Sequence, residues 1–318
     1  MALRSLPASL FLLVYCALAH AEQAPCLERT IAVSVSGGDG ASVTSMDSVA
    51  LQASNAVTIR SIKPADRLPR VVVLIDTSRS MESSEPAAAV IAERFVSKLP
   101  AETEIGLAFF DSNYHPMASL NKDRSKLTFL LEALKNRQYY AEGLTALWSS
   151  VGEAAKMFGT PSLGDTIYVI SDGGDNRSRT HMRDVLEALT DSGIRLFAAV
   201  LAAGPIGIRS RTSEELNGPG ILKDAVHATG GALLFDPDAP GGYYYSALDM
   251  VGKDRKPTRF AEDLNYQVSQ LINYYRLEIS LPEPIGKPQS WRLHIVGDGQ
   301  SRTERLQLIY PTLLMPCQ

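Results

Sequence analysis

Two apolar runs in the sequence, Val71–Ile75 and Thr166–Ile170, each lead directly into oxygen-bearing side chains. Runs of this length that are rich in β-branched residues are typical of buried parallel strands. The carboxyl ends of parallel strands lie at one edge of a sheet, where open α/β sheets bind their ligands. The side chains predicted at this edge are those of Asp76, Ser78 and Ser80 after the first run and Asp172 after the second.

A third segment adds one more hydroxyl to this edge. Thr145 follows the loop Gln138–Gly143 and is predicted to begin a helix that faces the same edge. The combined set has two carboxylates and three hydroxyls, with no nearby thiol or obvious imidazole. Hard oxygen ligands of this kind favour Mg²⁺, Mn²⁺ or Ca²⁺ over zinc or copper. The predicted cation ligands are Asp76, Ser78, Ser80, Thr145 and Asp172.

The elements that must position these residues alternate between strands and helices from Arg70 onward. The predicted strands are Val71–Ile75, Ile105–Phe110, an antiparallel edge at Tyr114–Leu120, Thr166–Ile170, Ile194–Leu201 and Ala232–Phe235. The first predicted helix is capped by Ser83 or Ser84 and stops before Pro100. The other predicted helices are one through Leu127–Leu134, Thr145–Phe158, His181–Asp191, Leu222–Thr229 and Phe260–Tyr275. This alternation predicts an α/β fold, a doubly wound and mostly parallel sheet flanked by helices on both faces.

Both ends of the chain lack a helical period and instead contain short β-like pieces. These pieces are Ile31–Val35, Val49–Gln52 and Val57–Ile62 near the start, and Leu277–Leu281, Trp291–Val296 and Leu306–Tyr310 near the end. Three strands from each end suit one small β-sandwich beside the α/β domain. The predicted organisation is a signal peptide at 1–21, a β flank at 22–66, the α/β domain at 67–275 and a second β flank at 276–318 that packs with the first.

The ordered set of site residues resembles a known family pattern. Asp-x-Ser-x-Ser at 76–80, then Thr145, then Asp172-Gly173, resembles the metal-ion-dependent adhesion site (MIDAS) of von Willebrand factor type A (vWA) domains. The resemblance covers residues 70–275. With its β flanks, the chain is similar to a bacterial secreted subgroup described as VWFA-related, and the doubly wound, Rossmann-like fold of vWA domains is expected.

The resemblance implies a role for each residue of the pattern. Ser78, Ser80 and Thr145 are expected to bind the metal ion, directly or through water. Asp76 and Asp172 are expected to hold the ion and its water shell. Mg²⁺ is the expected ion, with Mn²⁺ or Ca²⁺ as alternatives. The family leaves one coordination position open for an acidic residue of a partner protein, and mostly neutral ligands keep the ion electrophilic toward that carboxylate.

Two residues depart from the family pattern, which often has glycine at both positions. The charge of Arg79 either repels the cation or helps to recruit an acidic ligand, and both interpretations stay open. Glu142 precedes Gly143 and is expected to stiffen the loop. Neither residue replaces a ligand, so a MIDAS-type site is still predicted.

The composition of the chain excludes several other classes of protein. The chain has 318 residues, a net charge of −4, 45% hydrophobic residues and 21% charged ones, which is typical of a globular protein. Its acidic balance disfavours nucleic acid as a partner, because phosphate binding needs a basic face. The three cysteines form no Cys-x-x-Cys pair, which excludes a zinc ribbon and an iron–sulfur protein.

Four functions remain to be compared. The leading hypothesis is a non-enzymatic, metal-dependent protein-binding module. A structural scaffold with a silent metal site is the alternative. A serine hydrolase is disfavoured, because the chain has no Gly-x-Ser-x-Gly and no histidine close in sequence to the candidate serines. A nucleotide-binding enzyme is disfavoured because the usual glycine-rich phosphate loops are missing.

The first residues of the chain have the features of a secretory signal peptide. Arg4 supplies the positive charge, Leu10–Ala19 the apolar run, and Ala19-His20-Ala21 the small residues that precede cleavage. The apolar run is shorter than the roughly 18–20 residues of a membrane anchor. We therefore expect cleavage after Ala21, a secreted or periplasmic location, and no membrane span in the mature chain.

We predict a disulfide between Cys26 and Cys317, the two cysteines that remain after cleavage. Oxidising compartments favour pairing of an even number of cysteines, whereas two unrelated thiols at the chain ends are the alternative. So long a closed loop stabilises by at most about 5 kcal/mol in the chain-entropy model. Peptide mapping without reductant should recover the linked termini, and two free thiols in freshly secreted protein would refute the bridge.

Overall fold

The computed structural model describes residues 27–37, 50–54, 57–137, 143–201, 213–234, 258–296 and 306–316. Its central feature is a six-stranded sheet with the order β6-β5-β4-β7-β8-β9. The strands are β4 (Val71–Asp76), β5 (Ile105–Phe110), β6 (Tyr114–Asn121), β7 (Thr166–Ser171), β8 (Arg195–Val200) and β9 (Leu233–Leu234). All neighbours pair in parallel except β5 and β6, so the predicted antiparallel edge is confirmed.

Helices cover both faces of this sheet, and four of its strands are therefore buried at every position: β4, β5, β7 and β8. The helices are α1 (Glu85–Lys98), α2 (Ser125–Lys135), α3 (Leu147–Lys156), α4 (Met182–Asp191), α5 (Ser213–Ala228) and α6 (Thr258–Ile272). Apolar side chains of α1, α2 and α6 pack in one core, and those of α3, α4 and α5 pack in the other. The doubly wound α/β architecture predicted from the sequence is confirmed.

Three predicted helix limits were wrong. Helix α3 begins at Leu147 rather than at Thr145, and α5 begins at Ser213 rather than near Leu222. Helix α6 ends at Ile272, and Tyr274 and Tyr275 open the next strand. The apolar period of α6 continues to position 275, but both tyrosines pair with neighbouring strands, and this pairing overrides the local period.

The two flanks of the chain form one antiparallel β unit. Its largest sheet has the order β13-β1-β10-β3, made of β1 (Glu28–Gly37), β3 (Thr58–Pro64), β10 (Tyr274–Ser280) and β13 (Leu306–Ile309). Two strand pairs complete it: β2 (Ala50–Ala53) with β12 (Leu293–Val296), and β11 (Gln289–Ser290) with β14 (Leu313–Leu314). Side chains from all three sheets share one apolar core that includes Val33, Leu277 and Trp291. The predicted pairing of strands from both ends is confirmed.

A buried arginine joins the β unit to the α/β domain. Arg195, the first residue of β8, is 1% exposed. Its guanidinium donates to the hydroxyl of Ser34 in β1 at 3.0 Å and to the carbonyl of Leu271 in the last turn of α6 at 2.5 Å. The same group lies 4.8 Å from the ring centroid of Tyr274. Burial lowers its pKa to about 10, so the side chain stays charged at neutral pH.

Several predicted features lie outside the described residues. They are the signal peptide 1–21, Cys26, Cys317 and Glu142. Glu28 and Met315, which are described residues two positions from each cysteine, line the same cavity of about 250 Å³. This proximity agrees with a disulfide, which stays a prediction. Among the described helices, none is long and apolar enough to cross a membrane.

Replacing Arg195 should weaken the junction between the two units. Arg195→Met removes the group that donates a hydrogen bond to the buried carbonyl of Leu271. Loss of this hydrogen bond should lower the free energy of unfolding by about 2 kcal/mol. Arg183→Met, at an exposed position of α4, is the matched control and should change it by less than about 0.5 kcal/mol. Chemical denaturation compares the two, and equal stabilities would contradict this role of Arg195.

Candidate functional site

The site is built around Asp76, the last residue of the central strand β4. This side chain is fully buried. One carboxylate oxygen accepts the backbone N–H of Ser78 at 2.9 Å, and the other accepts the hydroxyl of Ser171 at 2.6 Å. Ser171 is the last residue of the neighbouring strand β7. Asp76 therefore ties the carboxyl ends of the two strands together.

The two serines after Asp76 present their hydroxyls to each other. A short 3₁₀ turn at Arg79–Met81 follows Ser78, and the N–H of Met81 donates to the carbonyl of Ser78 at 2.9 Å. This turn brings the hydroxyl of Ser80 to 3.2 Å from that of Ser78. Ser78 is buried and Ser80 is half-buried. The two oxygens thus form one small polar surface at the sheet edge.

Asp172 supplies a second buried carboxylate, at the start of the loop after β7. One of its oxygens accepts the N–H of Gly174 at 3.0 Å. Its other oxygen, Oδ2, is buried and has no hydrogen-bond partner. The pKa of Asp76 is raised to about 7, first by burial and then by the charge of Asp172, although hydrogen bonds from Ser171 and Ser78 oppose the shift. Two buried carboxylates repel each other, and a positive charge between them would offset this repulsion.

Thr145 is connected to the other segments through its backbone. Its N–H donates to the side-chain oxygen of Asn176 at 2.9 Å, and its carbonyl accepts the N–H groups of Asn176 and Arg177 at the same distance. The N–H of Arg79 donates to the carbonyl of Gly143 at 3.4 Å. The segment that carries Thr145 is therefore bonded to both of the segments that carry carboxylates, as the sheet-edge prediction requires.

Sequence reasoning missed the residues that hold these segments in place. Ser171 also accepts the N–H of Gly173 at 3.0 Å, so one hydroxyl supports both strand ends. Asp175 accepts the N–H groups of Leu147 and Ser178, and burial raises its pKa. Asp175 and Asn176 together link the loop after β7 to the segment from Thr145 to the start of α3. The sequence does contain one signal for Ser171: a carboxylate at the end of the buried strand β4 needs hydrogen-bond donors, and Ser171 ends another buried strand.

Helix α5 closes on the loop after β7 at a contact between two glycines. Gly173 has a φ of +84°, and a Cβ placed there would lie 2.6 Å from the backbone of Gly218. A Cβ at Gly218 would lie equally close to the backbone of Gly173. Only residues without a side chain allow the two backbones to approach this closely. The position of α5 is therefore coupled to the loop that carries Asp172.

The donor set of this site fits a hard divalent cation. The unpartnered Oδ2 of Asp172 and the paired hydroxyls of Ser78 and Ser80 are oxygen donors, which Mg²⁺, Mn²⁺ and Ca²⁺ prefer. Within the described ranges, no three residues among His, Cys, Asp and Glu cluster as metal ligands. A cation here would depend on hydroxyls and water in addition to two carboxylates, unlike the ligand sets that are typical of zinc.

Comparison with protein families supports the resemblance noted in the sequence. Residues 71–218 match the family model of the von Willebrand factor type A domain. The matched range begins with β4 and includes all five candidate ligands. No curated protein matches the chain at a significant level.

Solved structures with similarity to the chain include several proteins of bacteria. A von Willebrand factor type A structure from Catenulispora acidiphila is 13% identical and covers 91% of this chain and 74% of its own, with a TM-score of 0.45. BatB from Bacteroides thetaiotaomicron is 19% identical over 52% of this chain and 89% of its own, with a TM-score of 0.41. The vWF domain of the type V pili tip protein Mfa5 from Porphyromonas gingivalis is 27% identical over 35% of this chain and 40% of its own, with a TM-score of 0.29.

Alanine substitutions at Gly173 and at Gly220 should have opposite effects on the free energy of unfolding. Gly173→Ala places a Cβ against Gly218 at a positive φ, and we expect it to lower the free energy of unfolding by more than about 2 kcal/mol. Gly220→Ala meets nothing within 4 Å and lies inside α5, so the higher helix propensity of alanine should stabilise by up to about 1 kcal/mol. Thermal unfolding measures both. Equal effects would show that α5 does not close on the loop as described.

Proposed function

We propose that this chain is a non-enzymatic protein that binds another protein through a metal ion, because residues 71–218 match the family model of the von Willebrand factor type A domain. Domains of this family mediate protein–protein interactions. The ion would be Mg²⁺, with Mn²⁺ or Ca²⁺ as alternatives, and the partner would present an acidic residue to it. The family assignment alone gives only a general interaction role, so the metal-dependent part must be argued from the site.

The observation that carries the proposal is the unpartnered oxygen of Asp172. A buried carboxylate oxygen without a hydrogen bond is costly unless a cation or a water bound to a cation satisfies it. The nearby carboxylate of Asp76 makes the cost larger, because the two negative charges repel each other. No ion pair to Asp76 or Asp172 occurs in the part of the chain that the structure describes. A bound divalent cation removes both costs.

Each of the five candidate ligands has a role in this proposal. Ser78, Ser80 and Thr145 would offer neutral oxygens to the ion. Asp172 would offer its free oxygen. Asp76 has hydrogen bonds on both carboxylate oxygens, to Ser78 and to Ser171, and it would hold the ion mainly by charge or through a water molecule. A cation with few charged ligands keeps affinity for an additional carboxylate, which supports an acidic residue of the partner as the ligand.

The contacts of the serines favour this function over a serine hydrolase. The hydroxyl of Ser78 lies against that of Ser80, and the carboxylate of Asp76 is directed to a backbone N–H and to Ser171. Nε2 of His115 lies 3.2 Å from Oδ1 of Asp111, and His181 lines the neighbouring cavity. Among the described residues, neither imidazole is hydrogen-bonded to Ser78 or Ser80. A nucleophilic serine needs a base within hydrogen-bond distance, and these contacts give it none. A scaffold with a silent site is distinguished by the metal titration below.

We also propose that the mature protein acts outside the cytoplasm, in the periplasm or after secretion. The support for this location is the sequence of residues 1–21, which has the charge, apolar run and small residues of a cleaved signal. Edman sequencing of the protein recovered from the extracytoplasmic fraction should begin at Glu22. The acidic partner would then be a protein exposed to the same compartment.

Removing Asp172 should abolish binding of the ion while leaving the fold intact. We expect wild-type protein to bind Mg²⁺ or Mn²⁺ in calorimetry and to unfold at a higher temperature when the ion is added, since ligand binding stabilises the folded state. Asp172→Ala should lose both effects. Without metal, the variant should be at least as stable as wild type, because the substitution removes the repulsion with Asp76.

Asp224→Ala, at an exposed position of α5, is the matched control and should bind the ion like wild type. Equal affinity of wild type and Asp172→Ala would contradict the metal site. If the protein binds the ion but a chelator does not reduce recovery of a partner, a scaffold role is favoured instead.

A further inference from the structure

A second feature lies beside the metal site: a cavity of about 350 Å³ that opens between three helices. Gly173 and Asp175 of the loop after β7 line it, so the cavity shares this loop with the candidate metal site. Its apolar lining comes from the first turns of α3 and α4 and from α5, through Trp148, Met182 and Ile221. The remaining lining residues, Ser178, Thr180, His181 and Gly218, add polar groups and backbone. The cavity has room for one aromatic or aliphatic side chain of a partner.

Two apolar side chains are exposed in segments that adjoin the candidate metal site or the cavity. Ile221, at the cavity, is 42% exposed, and Leu144, immediately before Thr145, is 49% exposed. Among the described residues, only four large hydrophobic side chains are more than a third exposed, and the other two are Leu68 and Phe129. Exposed apolar groups next to a polar site are typical of an interaction surface.

Three arginines give this surface a positive border. Arg177 and Arg179 alternate with the lining residues of the loop after β7, and Arg79 lies between the two candidate ligand serines. All three are exposed. None of them takes part in an ion pair within the described residues. In the same loop as Arg177 and Arg179, the carboxylates of Asp172 and Asp175 are buried or half-buried and accept backbone N–H groups. The loop after β7 and the turn after β4 therefore carry three exposed positive charges.

We propose that this surface selects an acidic protein segment in which an apolar side chain accompanies the metal-binding carboxylate. The carboxylate goes to the ion, the apolar side chain enters the cavity at Ile221, and further acidic residues face the arginines. This inference rests on the proposed function and adds the chemistry of the partner to it. Arg79, which the sequence left open, here recruits the acidic ligand.

A library of random dodecapeptides displayed on phage provides a defined probe for this proposal. Selection on the immobilised protein in Mg²⁺, followed by elution with EDTA, should enrich peptides that pair Asp or Glu with an aliphatic or aromatic residue a few positions away. The affinity of an enriched peptide should fall about tenfold or more in Ile221→Arg, because burying one apolar side chain contributes on that order.

Phe129→Arg is the matched control, since Phe129 is 72% exposed on α2 and does not line the cavity. It should change the affinity less than about twofold, as expected for a surface position outside the contact. Ile221→Gln should give an intermediate loss, and circular dichroism checks that each variant keeps its helices. Arg177→Gln combined with Arg179→Gln should slow association and reduce its dependence on salt.

The outcomes separate this inference from the metal site itself. EDTA-eluted peptides that carry an acidic residue without an apolar one, and that bind Ile221→Arg as they bind wild type, would overturn the cavity proposal and leave the metal proposal intact. Peptides that bind equally in EDTA and to Asp172→Ala would overturn the metal proposal and the link between ion and cavity. Self-association of the protein that Ile221→Arg abolishes would replace the acidic partner with a second copy.

Discussion

Asp76 keeps a fully buried carboxylate at the carboxyl end of the central strand, where it accepts the N–H of Ser78 and the hydroxyl of Ser171. These two bonds set the turn that follows β4 and tie it to the end of β7. The turn brings the hydroxyls of Ser78 and Ser80 together. The hydrogen bond from Ser171 keeps the end of β7, and with it Asp172, close to Asp76. Burial and the charge of Asp172 raise the pKa of Asp76 to about 7, so a negative charge on Asp76 is disfavoured at this edge.

The rest of the fold holds this edge rigid. Strands β4 and β7 are buried at every position between two layers of helices, which leaves their carboxyl ends little freedom to move. Helix α5 closes on the site loop at Gly173 and Gly218. At the opposite end of the strands, Arg195 joins the sheet to Ser34 of the β unit and to the last turn of α6. The β unit therefore contacts the domain away from the candidate site and leaves the edge with the candidate ligands uncovered.

Local physics explains which elements could be predicted from the sequence. Buried strands such as β4 and β7 are continuous apolar runs, and α2 repeats leucine with a helical period, so both follow from side-chain burial alone. The end of α6 could not be predicted in this way. Its apolar period continues into Tyr274 and Tyr275, which instead pair with β1 and β3. That choice depends on strands from the first part of the chain, which a local window does not contain.

The alternation of strands with helices and the spacing of the motif are local patterns, so the α/β architecture, the resemblance to the family and the five candidate ligands could all be predicted from the sequence. The groups that support these residues depend on the tertiary structure. Ser171 and Asn176 act through contacts across the sheet edge, and no spacing rule identifies a hydroxyl that must satisfy a buried carboxylate. Tertiary packing also places Ile221 and Trp148, which are far apart in the chain, in the lining of the same cavity, since only the packing of α5 against the site loop brings these side chains together.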